Sequence, residues 1–174
     1  MKKLLNFFLI TALLLFFLTG CRTKAQEQAV APFSDATWNK TPEELIGLEE
    51  NDFTTTPSVY GGDSYLFPVT WLDHEGTVKY MYDQNKNLVS IAFYYETQSR
   101  EDMEILYDTI RNQALEKYGE SIPTTNQDNL GDRWIRSEGN IILAAFWTKE
   151  SCALQYSFLH PSISRDAEGN LSTQ

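Results

Sequence analysis

Chemistry in this chain would have to come from a small set of side chains. Two cysteines, Cys21 and Cys152, and two histidines, His74 and His160, are the readiest nucleophiles and metal ligands in 174 residues. A zinc site needs three or four Cys, His or carboxylate ligands, usually at tight local spacing. His74 sits in the stretch DHEG and His160 stands before Pro161, each without such company, so both read as turn or surface histidines. Asp83, Asn85 and Asn87 imitate the opening of a calcium loop. Leu88, however, occupies the place of the required glycine and Tyr94 that of the bidentate glutamate, so the stretch reads as a hairpin turn. Glu49/Glu50 and Glu101/Asp102 are adjacent pairs, which a helix points apart. There is no Gly-Xaa-Ser-Xaa-Gly elbow, phosphate loop or dinucleotide fingerprint. The expectation is therefore no catalytic set, no cofactor and no metal.

Cys21 stands apart because of what precedes it. Met1 is followed by Lys2 and Lys3, then by an apolar run from Leu4 to Leu18 broken only by Asn6 and Thr11. A short positive end, an apolar stretch and small residues before a break are the parts of a secretory signal. The run is shorter than the roughly 20 apolar residues a membrane-spanning helix needs. Leu18-Thr19-Gly20-Cys21 resembles the bacterial lipobox, in which Leu, a small residue and Gly or Ala precede the cysteine. The resemblance implies that the Cys21 thiol receives a diacylglyceryl group and that the chain is cut just before it. Two acyl chains give stable attachment, where one gives only marginal affinity. Arg22 follows; in lipoproteins of this kind an Asp there implies inner-membrane retention, so Arg22 implies the outer membrane where one exists.

Loss of residues 1–20 would remove Lys2 and Lys3 and take the net charge from −10 to −12. That argues against nucleic acid, whose binders carry a basic face. A lipidated Cys21 also leaves Cys152 without a disulfide partner. Cys152 alternates with Ala153 in "CALQYSFL", on the side shared with Leu154, Tyr156 and Phe158, and reads as a small buried hydrophobe.

Residues 21–32 are polar and aperiodic and read as a tether; residues 33–160 read as one α+β domain, and 161–174 as a polar tail expected to fray. Within the domain, Thr41, Pro42 and Glu44 form a capping box with proline at the first helical position, and Leu45 and Leu48 give the helix a narrow apolar stripe. Residues 64–72, 77–83 and 88–96 read as a three-strand meander, with Pro68 pushing the first strand toward an edge or a bulge. A longer helix follows, capped by Ser99, striped by Met103, Leu106, Tyr107, Ile110 and Ala114, and stopped at Gly119. Residues 133–137, 141–148 and 152–159 then read as three more strands. The order is helix, three strands, helix, three strands, which predicts two such units sharing an antiparallel sheet packed on helices. Gly62-Asp63 before Tyr65 and Gly131-Asp132 before Trp134 echo one another at matching places.

Aromatics fall on both alternating sets of the strands, so one set should escape the helices. Tyr94, Phe146 and Trp147 are the candidate residues of an exposed binding surface. Element order, with the opening "WNKTPEEL", resembles β-lactamase-inhibitory-protein-like domains and small outer-membrane-assembly lipoproteins. That resemblance implies a non-catalytic domain that binds another protein through a concave sheet. A small-ligand carrier, or an envelope enzyme using dispersed carboxylates, are the alternatives. Replacing Cys21 with alanine is expected to abolish labelling by a palmitate analogue and to leave an uncut precursor. Labelling equal to that of the parent chain would overturn the anchor.

Overall fold

The computed structural model describes residues 31–32, 38–48, 52–126 and 129–171. Helix α1 is one short turn, Pro42–Ile46, held by a reciprocal cap. Thr41 Oγ1 accepts from the Glu44 amide at 3.3 Å, and Glu44 Oε2 accepts from the Thr41 amide at 2.8 Å. Helix α2, Arg100–Tyr118, begins where Ser99 Oγ accepts from the Asp102 amide; such a cap contributes about 1 kcal/mol. It ends at Gly119, whose φ of 83° lies in the region glycine alone enters freely. Its stripe of Met103, Leu106, Tyr107, Ile110 and Ala114 is buried.

The strands are β1 (Thr54–Pro57), β2 (Gly61–Trp71), β3 (His74–Asp83), β4 (Leu88–Thr97), β5 (Ile122–Pro123), β6 (Asn129–Trp134), β7 (Ile141–Trp147) and β8 (Cys152–Leu159). They form one antiparallel sheet in the order β1-β2-β3-β4-β8-β7-β6-β5. Four strands, not three, thus follow each helix: the short β1 and β5 were hidden in loops rich in Thr and Pro. Pro68 is not on an edge strand of the sheet. Thr54 pairs with Leu66, so Pro68 stands beyond the start of β1, and among the described strands only β3 pairs with β2 there. Its missing N–H therefore interrupts no ladder.

Between β2 and β3 the turn is Leu72-Asp73, one step before the expected DHEG; His74 already pairs with Trp71. Leu72 and Asp73 have φ of 51° and 62°, the signs a two-residue hairpin demands. His74 Nδ1 lies 2.6 Å from the Leu72 carbonyl and steadies the turn by donating to it. Between β3 and β4 the carboxylate of Asp83 is taken up by its own loop. Asp83 Oδ1 accepts from the amides of Asn85 and Asn87, and Oδ2 from Asn87 Nδ2. Desolvation would raise this carboxyl, but the Asn87 and Asn85 hydrogen bonds together overcome it and hold it below the usual range.

One face of the sheet packs on the helices. Phe67, Val78, Tyr80, Ile91, Phe93, Leu143, Leu154 and Tyr156 are buried there with Leu45 of α1 and the α2 stripe. Trp71 meets Phe93 edge-on at 5.1 Å and stacks on Tyr156 at 6.0 Å. Gly76 makes room for this: a Cβ there would strike the Phe93 ring and the Tyr94 carbonyl. Cys152 is buried on the same face.

One buried charge ties the second half together. Asp132, 2% exposed, accepts from Tyr107 Oη at 2.5 Å and Arg111 Nε at 2.8 Å on α2, and from Ser121 Oγ. Burial first, then Asp132, raises the Tyr107 hydroxyl well above its ordinary value, so it remains a donor.

Residues after His160, expected to fray, are instead pinned through residue 171. A 3-10 turn, Pro161–Ile163, is capped by His160, whose ring also meets Trp38 edge-on at 5.4 Å. Ser164 Oγ accepts from the Asn140 amide, and Asn140 Nδ2 donates to the Arg165 carbonyl. Arg165 and Leu171 then bridge as a small hairpin.

Asp132→Ala leaves two donors and a guanidinium without their acceptor and is expected to cost roughly 3 kcal/mol in urea denaturation. Arg111→Gln should cost about 1 kcal/mol or less, because that side chain is already 37% exposed. Equal losses for the two would show that Asp132 is not the hub.

Candidate functional site

The face opposite the helices is the candidate site. Register fixes its composition, because alternate residues of each strand share a face. One row runs Pro68, Thr77, Tyr94, Gln155, Ala144, Gly131 across six strands. The neighbouring row carries Ala153, Phe146 and Asn129. Small residues dominate the middle: Ala92 and Ser157 are cross-strand partners on β4 and β8, and both are buried beneath their larger neighbours. Gln155 Nε2 donates to Ser157 Oγ at 2.6 Å along this floor.

Tyr94 and Phe146 come to this same face, with β8 between their strands. Phe146 is 47% exposed, the value of a side chain with no covering layer. Tyr94 is half-buried, and burial first, with Tyr60 nearby, raises its hydroxyl. It therefore presents an uncharged ring with a hydrogen-bonding tip. Trp147 goes to the other face. The Arg100 guanidinium lies 3.8 Å over its ring, and Trp147 pairs with Cys152 beside α2. The structure thus brings together two of the three expected aromatics and assigns the third to packing.

Beside Tyr94 the face sinks into an open depression of about 1000 Å³. Leu66, Pro68, Thr77 and Lys79 form its walls with Tyr94, and Glu75 and Glu96 stand at its rim. Both glutamates are exposed. These residues escaped the sequence reading. The alternation in β2 that sends Leu66 and Pro68 outward was available, but it matters only once β3 and β4 are known to flank it.

The other expected participants are placed as follows. Leu18, Thr19, Gly20, Cys21, Arg22 and the pair Glu49/Glu50 lie outside the described residues. His74 stacks edge-on against Tyr95 at 4.9 Å, and His160 caps the 3-10 turn, so each serves a turn. Among the described residues no group of three or more His, Cys, Asp or Glu side chains could hold a metal ion, and no helix is long and apolar enough to cross a membrane.

The two neighbours Phe146 and Trp147 give a direct check of the faces. Phe146→Ser is expected to change stability by less than about 0.5 kcal/mol, and Trp147→Ser to lower it by about 2 kcal/mol through lost packing and cation–π contact. The reverse order in chemical denaturation would refute the assignment of faces. No family model, curated protein or solved structure matches the chain.

Proposed function

We propose that this chain is an extracytoplasmic lipoprotein, anchored through Cys21, whose domain binds another protein with the sheet face opposite the helices. The observation that carries the reading is the uncovered face itself: Tyr94 and Phe146 stand over a floor of Ala92, Ala144, Ala153 and Ser157 and beside an open depression of about 1000 Å³. A broad face of small residues with a few standing aromatics suits an extended protein surface, whose anchors are enriched in Tyr and Phe. A carrier of small molecules would be served better by a deeper, more enclosed pocket.

The edges favour the face as the contact. β1 is four residues long and ends at Pro57, and β5 is two residues long and ends at Pro123. Short edges carrying proline offer little for a partner strand to pair with.

The domain is read as two units, each a helix followed by four strands, joined through β4 and β8. The mirrored strand order supports this, as does a detail of register: Pro57 pairs with Asp63 in the first half and Pro123 with Asp132 in the second. The proposed likeness to inhibitory-protein-like and envelope-assembly domains rests on this plan. A hydrolytic reading has one observation behind it, the shared position of Glu75 and Glu96 at the depression's rim.

A photo-crosslinking residue placed at Phe146 in cells is expected to trap one discrete protein species, lost with Tyr94→Arg. The same probe at Ile105, 57% exposed on α2, should trap nothing at that mass. Identical products from both positions would sink the face as the binding surface. Loss of function on Glu75→Gln or Glu96→Gln with crosslinking intact would favour the hydrolytic reading instead.

A further inference from the structure

The residues after His160 roof one end of the uncovered face and enclose a second cavity. It measures about 390 Å³ and lies between that roof and the β6–β7–β8 end of the sheet, within the range of roughly 300–1,000 Å³ usual for ligand sites. Its walls are mainly aliphatic: Ile142 and Leu159 rise from the sheet, and Ile163 and Leu171 come down from the roof. Two guanidiniums share it. Arg133 reaches up from β6 and gives one Nη2 hydrogen bond to the Ala167 carbonyl at 3.3 Å. Arg165 gives one from Nη1 to the Gly169 carbonyl at 2.8 Å.

Neither arginine is in an ion pair among the described residues, whose three salt bridges involve Arg100, Arg111 and Arg136. Arg133 Nε is buried and without a hydrogen-bond partner. That is an unusual state for a permanently charged group with five N–H donors, and more so in a chain of net charge −10. A carboxylate is the natural partner for a guanidinium that lines a cavity without an ion pair.

We propose that this cavity binds a small amphiphilic anion, a carboxylate on a short aliphatic chain. The Arg133 guanidinium, which lines the cavity, receives the carboxylate, Arg165 adds positive charge beside it, and the chain lies against Ile142, Leu159, Ile163 and Leu171. The aliphatic walls exclude a bare inorganic anion as the preferred ligand, and the guanidiniums exclude the neutral alcohol of the same length. The site is separate from the depression at Tyr94 and stands or falls independently of the protein-binding reading.

Calorimetric titration of the full chain with octanoate, octanol and inorganic phosphate tests it. Octanoate is expected to saturate, with octanol and phosphate each at least about tenfold weaker. Arg133→Gln should weaken octanoate about tenfold, and Ile142→Trp, which fills the cavity, should abolish its binding. Absence of saturation by octanoate up to about 10 mM would overturn the proposal. So would equal affinity for octanol or phosphate, or undiminished octanoate binding by a folded Arg133→Gln chain. If that variant fails to fold, the comparison of the three ligands on the parent chain decides.

Discussion

The pairing of β4 with β8 is the constraint on which the rest of this structure depends. It runs without a break from Ser90–Leu159 to Thr97–Cys152, and it joins strands more than fifty residues apart in sequence. Without it there would be two four-stranded sheets, each with a bare edge. With it, the row from Pro68 to Gly131 becomes continuous and Tyr94 comes onto one surface with Phe146. A slip of one residue would turn the second half over against the first, sending Leu154 and Tyr156 to the face that carries Tyr94. Burial of Ile91, Phe93, Leu154 and Tyr156 on the helix side makes that slip costly, so the register is held by packing as much as by the ladder.

The two faces of the sheet divide the labour. The helix side carries the large side chains: Trp71, Phe93 and Tyr156 interlock there, and Gly76 yields the volume their geometry needs. The opposite side is paved with Ala and Ser, so its shape is set by the backbone and by a few isolated larger residues. A surface built this way changes little when a partner arrives. Proposed recognition by it therefore rests on fit to a preformed face, which keeps the entropy lost on association small.

Local structure was legible in the sequence where one signal sufficed. Thr41-Pro42-Glu44 and Ser99 fixed the helix starts, and the alternation through Val78, Tyr80, Ile91 and Phe93 named the inward side of two strands. Edge strands β1 and β5 were not legible, since four residues and two residues carry no period. Nor was the meeting of Tyr94 with Phe146, which depends on a non-local pairing that no window of sequence contains. Asp132 was noticed only as half of a repeated Gly-Asp; its burial follows from Tyr107, Arg111 and Ser121, which converge from separate segments. Arg133 escaped for a related reason: an arginine in a strand reads as a solvent-facing residue until a roof appears above it. The tail misled because its polar residues find their partners in Asn140 and in each other.

Cys152 carries a last consequence. Its thiol is free and buried on the helix side of the sheet, with Thr97 of β4 and Trp147 of β7 as its cross-strand neighbours. A second thiol or an oxidant can reach it only after this part of the sheet opens. Oxidation of a cysteine follows its accessibility as well as its ionisation, so the fold shields Cys152 from oxidants around it. While the fold is closed, Cys152 offers neighbouring chains no thiol with which to crosslink.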